Sequence, residues 1–569
     1  MKLKVRLGAA AQAFALLGLV AALGGGAVAA APARTAPART AAASTTALPN
    51  ARAVAEAAAR AMGGVEKLRA IRNITLHGYG QYAYQFGGGR ITGLPRAPEK
   101  YIASNDLSRV YDLEHGRFQA RERRVMLFPF LAPGGHNYPL SDFRLDGDVA
   151  YDISTGGEFG PRQPPQAVRR PRWSESPLVI DGVHMRRMWM MNNPAVLVRA
   201  MLDPASRLSE PRRAGDETLV DVTLKEGDKF TAAFGPGGLP AWVRWANPQA
   251  NLGQANLTTY FDGWGHADGQ GGVLLPYAYQ TRLDWRNIDF AKIYVDAYDL
   301  NSDIPDLAAP AQVRDAPEPV SFPAPSLTST PIGKGVWRIS NGTTVVEFKD
   351  HLVIFELAGN TRGGAKAVLD HARSLAPGKP IRSLIISHHH FDHTTGLREA
   401  VAQGITVIQR PNSLAQFREV VAHPAPDFPD DLERKRLPFK TIAVDEHLRL
   451  QDETQTVDVY WGRSNAHMAD VLFAYVPSEK ILMEGDMVSS AYEWQHWADT
   501  FRDVVAYYRL DVAKVSPAHT VLPDHPGAMT LQEVEDLLKG GIDRARKHCA
   551  EEVGKGNYHP GCPIQSKYY

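Results

Sequence analysis

Cysteine is almost missing from this chain: Cys549 and Cys562 are the only two in 569 residues, and both lie close to the C-terminus. A scaffold stapled by several disulfides is therefore excluded. No third soft ligand sits beside the pair, so the reading is one disulfide closing a short loop in the tail. Charge imbalance is missing too. Sixty-three basic residues face 62 acidic ones, a formal net charge of +1, which gives no electrostatic reason to invoke nucleic acid or an anionic membrane as the main partner. A small molecule is expected instead, and the sequence is silent on oligomeric state. No internal repeat recurs at a fixed period. The chain is longer than one hydrophobic core usually supports, so at least two domains are expected.

Long apolar runs are confined to the start. Lys2, Lys4 and Arg6 precede AAAQAFALLGLVAAL, then Gly24-Gly25-Gly26 and AVAAA. That order marks a secretory signal peptide over residues 1–30, cut near Ala29 or Ala31, and implies a periplasmic or secreted protein. The alternative is an uncleaved anchor, but the apolar part is shorter than the roughly 20 residues a spanning helix needs. No integral membrane span is expected after cleavage. No cysteine stands near the cut, so lipid attachment there is excluded. Residues 31–49 are nearly all Ala, Pro, Thr, Arg and Ser and read as a disordered tether.

Residues 50–300 begin with the helical RAVAEAAARAM. Runs of β-branched and aromatic residues follow, such as NITLHGYGQYAYQ, NLTTYFDGWG and AKIYVDAYDL, between Gly, Pro, Asn and Asp punctuation. A mostly antiparallel β domain is expected. Prolines from Pro305 to Pro331 mark residues 301–326 as a linker. Over 327–545 short strands alternate with helices, the pattern of sheet layers covered by helices. Residues 546–569 read as a tail. The cluster HMRRMWMM, His184 to Met191, has the composition of a copper site, yet Met fills core gaps and Trp189 sits among them, so a packing surface or lipophilic wall is the reading. The run DDLERKR, Asp430 to Arg436, is a solvated face.

The densest chemistry is SLIISHHHFDHTTGL, Ser383 to Leu397. After an apolar strand, His388 and His390 are two apart and can point the same way from an extended segment, while Asp392 and His393 follow as a helix begins. Two metal ions can be ligated from one such loop. Imidazoles with a carboxylate and no nearby thiol suit zinc first, iron or manganese next. Further ligand-type residues flank other strands: His467 before VLFAYV, Asp486 after KILME, and His519 after KVSPA. Asn465, two residues before His467, could donate to an oxyanion; an exposed loop asparagine is the plainer reading.

His388-x-His390-x-Asp392-His393, followed in order by His467, Gly485-Asp486 and Ala518-His519, resembles the metallo-β-lactamase superfamily over roughly residues 327 to 540. The resemblance implies an αββα sandwich with a metal pair at one edge. It gives one ion His388, His390 and His467, the other Asp392, His393 and His519, with Asp486 bridging and His389 an outward spacer. Asp486 and the lack of a cysteine ligand look more like glyoxalase II, lactonases and related hydrolases than like true β-lactamases. His390 stands where flavodiiron-type members carry glutamate. Two departures are Glu356, where many members have Asp after the third strand, which puts its support of the site in question, and Thr520 after the last histidine.

The implied function is an exported dinuclear zinc hydrolase that cleaves an ester, lactone or amide of a small or lipophilic substrate. Two divalent ions with two carboxylates and a bridging hydroxide leave a net +1, and Asp392 would orient that nucleophile and accept its proton. The alternatives are a periplasmic β-lactamase and a non-catalytic lipophile-binding carrier. Separately, MGGVEKLRAIRNITLHGYG, LTTYFDGW and VLLPYAYQ resemble the curved sheet of periplasmic lipoprotein carriers. That likeness would have the β domain select a lipophilic substrate or cover the metal cleft.

Overall fold

The computed structural model describes residues 48–126, 140–155, 164–176, 180–269, 271–357, 361–463, 467–488, 497–519 and 527–554. The signal peptide, nearly all of the tether, Asn465 and Cys562 lie outside the described residues, so the staple to Cys549 does too. The first helix, Ala51–Ala61, starts where Asn50 caps it by accepting from the Ala53 backbone N–H at 2.9 Å. Beyond it, a 14-stranded sheet occupies the first half of the chain, and its observed pairings are antiparallel. The first strand, Asn73–Ala83, pairs on one side with Tyr101–Asp112 and on the other with the last, Ile288–Leu300. The sheet's ends in sequence thus meet at its middle.

Two helices, Val183–Met191 and Pro194–Leu202, pack against this sheet. Every residue of the first is buried. Met188 and Trp189 share a core with Leu145, Val243 and Leu257, and His184 is satisfied by Asp228 at 2.7 Å and the Ala246 carbonyl at 2.8 Å. The methionine-rich cluster is packing, as its composition suggested.

The second half holds a seven-stranded and a six-stranded sheet. Val346, Val353, Phe355, Ile385 and Ile408 of the first share a core with Val457, Val459, Leu472, Ala474 and Met483 of the second. On its other face the first sheet packs Ile354, Leu384 and Val407 against helices Arg362–Leu375, Leu397–Ala402 and Leu414–Ala422. The second buries Phe473, Leu482 and Val515 under helices Trp497–Tyr508 and Leu531–Gly554. A strand covered on both faces must be apolar throughout, which is why LVIF at 352–355 and LFAYV at 472–476 show no alternation. The last helix runs on to Gly554, where the sequence suggested a tail from 546. No helix among the described residues is long and apolar enough to cross a membrane.

The segment read as a linker is built into the structure. Ala309 and Val313 pack on Tyr151, whose hydroxyl donates to the carbonyls of Leu307 and Ala308. Proline cannot donate to a strand ladder, and its fixed φ makes a stiff extended strap. The described residues from Leu48 on form one compact unit, and buried polar contacts join its halves. Asn251 donates to the Phe391 carbonyl at 2.7 Å and to Thr394 Oγ1 at 3.0 Å. The Arg362 guanidinium pairs with buried Glu175 and donates to the carbonyls of Gly253 and Phe428. Removing one member of such a pair leaves a buried charge alone, so Arg362→Ala should cost about 3 kcal/mol, measured by urea denaturation, and Glu175→Gln clearly less.

Candidate metal centre

Four strand ends deliver the site. The strand Ile381–Ile385 runs into Ser387 and the histidines, Ile481–Glu484 leads to Asp486, and Lys514–Pro517 leads to His519. The strands ending at 484 and 517 lie parallel and adjacent, so their C-terminal loops emerge at the same edge. His467 enters from the loop before Leu472–Val476. An extended backbone at His390 followed by the one-turn helix Phe391–Thr394 alternates the first pair of histidines and then swings Asp392 and His393 inward. The rings of His388 and His390 are 4.7 Å apart, as two residues on one side of an extended segment should be.

These side chains form two groups, His388, His390, His467 and Asp486, and Asp392, His393, Asp486 and His519. Within each group one ligand atom per residue lies within 4.8 Å of the others. Asp486 belongs to both. Its Oδ2 is 3.2 Å from His467 Nε2, and its Oδ1 is 3.2 Å from His393 Nε2 and 2.9 Å from His519 Nε2. Asp392 Oδ2 stands 3.6 Å from both His393 Nε2 and His519 Nε2. His390 Nδ1 and His467 Nε2 face each other at 3.1 Å. Asp486 holds a left-handed backbone, φ 60°, and a Cβ on Gly485 would lie 2.2 Å from Ser387 Oγ, so only glycine lets the loop pass.

The surrounding residues explain how the rings are held. Ser387 Oγ is 2.8 Å from His388 Nδ1. Glu356 Oε2 is 3.1 Å from His393 Nδ1, while its Oε1 accepts from the Ser387 backbone N–H at 2.9 Å. Glutamate thus reaches the site where the sequence had put its support in question. His389 is not an outward spacer. It is fully buried, with Nδ1 3.2 Å from Asp470 and Nε2 2.9 Å from the Arg90 carbonyl, because the outer side of its loop is covered by residues of the first half.

Sequence reasoning had that half select a lipophilic substrate or cover the metal cleft but named none of its residues at the site. Gln85 Nε2 donates to Asp392 Oδ1 at 2.9 Å. Lys100 Nζ donates to the His467 carbonyl at 3.4 Å, and burial pulls its ammonium down to about 8 against the raising effect of Asp486 and Asp392. Nothing in the spacing of either residue flags it, since Gln85 is 307 residues from its partner. A third group, Asp350, His351 and Asp452, is less enclosed. Its Asp452 carboxylate accepts from the backbone N–H groups of Lys349, Thr454 and Gln455, which accounts for it as a turn.

Charge divides the two main groups. Burial and neighbouring imidazoles hold His388 and His390 well below the ordinary histidine range, and burial lowers His467, so these rings are neutral with lone pairs available. Burial acts against protonation of His393 and His519 as well, but Asp486 and Asp392 reverse it. His393 is raised well above its usual value and His519 to about 10. Burial likewise opposes ionisation of the carboxylates, yet His393 and His519 hold Asp486 well below the carboxylate range and Asp392 at about 2. His388 Nε2, His393 Nε2, His519 Nε2 and Asp486 Oδ1 make no well-aligned hydrogen bond, only the ion-pair contacts between these rings and Asp486. Ring nitrogens and a carboxylate oxygen aimed at one another fit divalent cations of the zinc class.

No protein-family description and no curated protein matches the chain. Among solved structures, the metallo-beta-lactamase from Pontibacter korlensis aligns at 15% identity over 38% of this chain and 98% of its own, with a TM-score of 0.28. The metallo-beta-lactamase from Erythrobacter litoralis aligns at 16% identity over 38% of this chain and 96% of its own, TM-score 0.28. The DIM-1 metallo-beta-lactamase aligns at 15% over 39% and 100%, TM-score 0.29. Each leaves more than half of the chain unmatched, and none of the three supports the likeness of residues 50–300 to lipoprotein carriers.

At pH 7 the metal-free site carries protons on His393 and His519, and a metal needs both rings neutral. Zinc uptake should therefore release about two protons per chain from these rings, and about one more where a bound water ionises, read by calorimetry in buffers of different ionisation enthalpy. Affinity should rise with pH up to about 10, where His519 gives up its proton unaided.

Proposed function

We propose that this chain is an exported, metal-dependent hydrolase of the metallo-β-lactamase type. His388, His390 and His467 would hold one divalent ion, Asp392, His393 and His519 a second, and Asp486 both, with zinc the first choice and iron or manganese next. The observation that carries the reading is the sharing of Asp486 between two groups of ring nitrogens that converge within 4.8 Å. Such a cluster is costly to assemble without a cation, because five imidazoles have lost water and share only two carboxylates.

Bound divalent ions supply Lewis acidity and a water acidic enough to ionise near neutral pH. The chain's own residues supply the rest. Asp392 Oδ2 faces the site, where it orients the attacking water and takes its proton. Glu356 and Ser387 fix the rings of His393 and His388, which sets the direction of their lone pairs. Lys100 adds positive potential beside His467 and favours a substrate whose scissile group becomes anionic. Esters, lactones and amides meet that description. The export reading rests on the basic start, apolar core and small-residue cut of residues 1–30.

Protein purified without chelator should carry about two zinc ions per chain by metal analysis and turn over chromogenic esters or lactones. A panel that includes a cephalosporin and a carbapenem separates the β-lactamase alternative, and binding of lipophiles without any turnover would favour the carrier. Asp392→Asn should keep the fold by circular dichroism and lower kcat by about 10²- to 10⁴-fold. Wild-type turnover in that variant would remove Asp392 from its role.

A further inference from the structure

Gln85 belongs to the first half of the chain, yet its side chain ends inside the metal centre. It is 2% exposed. Its Nε2 donates to Asp392 Oδ1 at 2.9 Å, and its Oε1 accepts from the Phe391 backbone N–H at 3.2 Å. Those two contacts fix the amide's orientation, since a backbone N–H can only donate and an ionised carboxylate can only accept. No other uncharged side chain of that length satisfies both. With Oδ1 occupied, the other oxygen, Oδ2, is the one turned toward His393 Nε2 and His519 Nε2.

The backbone that delivers Gln85 is unusual. Gln85 has φ 49°, ψ 47° and Phe86 has φ 51°, ψ 30°, two consecutive left-handed residues with side chains. Such conformations persist only where the surroundings over-determine them, and they gather at functional sites. Here the surroundings do so from both halves. Phe86 stacks on Phe290 of the sheet at 4.2 Å between ring centroids, and the Tyr84 N–H donates to the Lys100 carbonyl at 2.8 Å. On the other side, a Cβ on Gly88 would lie 2.3 Å from the Phe391 ring, so the turn is pressed against the residue that precedes Asp392.

We infer that Gln85 is a positioning residue: from a strained turn of the N-terminal sheet it holds one oxygen of Asp392 and thereby sets which oxygen faces the metal pair. The inference rests on the metal-binding reading above. It makes the N-terminal half part of the metal centre, so that the second half alone would hold the same ligands with Asp392 free to rotate. The ordinary alternative is that Gln85 only joins the two halves, and it predicts a different pattern of metal loss.

The test uses the full chain loaded with zinc and two variants. Gln85→Leu removes both hydrogen bonds at similar volume, and Gln85→Glu keeps the shape but sets a carboxylate against Asp392. Zinc is withdrawn with graded chelator. Zinc content, the absorption spectrum after cobalt(II) replacement, thermal melting of the metal-free protein and turnover are all read. Loss of an outer hydrogen bond to a ligand commonly weakens a metal by 10- to 100-fold. In both variants one of the two ions should therefore leave at about 10- to 100-fold lower chelator, the other within about 2-fold of wild type, with an altered cobalt spectrum, while metal-free melting falls modestly because the Phe391 N–H and Asp392 lose a buried partner. The inference is overturned if both ions are held as in wild type. It is also overturned if both are lost in parallel, since Gln85 would then serve only to join the halves. A wild-type chain that takes up no zinc overturns the metal-binding reading and this inference together; two ions in wild type with matching variants overturns this inference alone.

Discussion

One buried carboxylate organises the molecule's chemistry. Asp486 touches His467 on one side and His393 and His519 on the other, in a space from which water has been largely removed. Five imidazoles and two carboxylates in such a volume cannot all be neutral, and they cannot all be solvated. In the metal-free protein the conflict is resolved with protons: His393 and His519 keep theirs, while His388, His390 and His467 give theirs up. That asymmetry prepares three lone pairs at once and leaves two protons for a cation to displace. The left-handed backbone at Asp486 and at Glu356, φ 65°, is the conformational cost of aiming both carboxylates inward.

The layers around the site exist to hold these loops still. Each loop of the cluster adjoins a largely buried strand, locked between a shared core and a layer of helices. A small slip in such a strand would expose apolar surface and unmake the packing, so the loops inherit the rigidity of the core. The N-terminal sheet adds to this from outside. Its segment from Tyr84 to Lys100 covers His389 and His390 through the Arg90 carbonyl, reaches Asp392 through Gln85 and approaches His467 through Lys100. What the sequence presents as two successive regions is, at the site, one wall.

The grouping of these side chains was legible because their spacing has a physical meaning. Residues two apart on an extended chain share a side, and a helix start turns the next pair inward, so His388, His390, Asp392 and His393 can be read as a group. His467, Asp486 and His519 were found through family resemblance and through their places beside apolar runs. His389 was misread for an instructive reason. Alternation correctly sends it away from the pair, but in a sandwich covered on both sides the opposite face is also interior. Glu356 was put in question because many members of the family this chain resembles have Asp there; its carboxylate nonetheless reaches His393 and the Ser387 N–H. Gln85 and Lys100 could not be read, since no pattern links residues from separate regions. The prolines before residue 327 do prevent strand formation, as composition implied, but stiffness made that segment a strap packed on Tyr151.

The most direct measurement is diffraction on both sides of the zinc absorption edge, from crystals of the full chain grown without chelator and supplied with zinc. The account predicts two anomalous peaks. One lies about 2 Å from the facing nitrogens of His388, His390 and His467, and the other about 2 Å from those of His393 and His519 and from Asp392 Oδ2, with Asp486 in reach of both. An empty cluster, or zinc found only at another place on the protein, would contradict it.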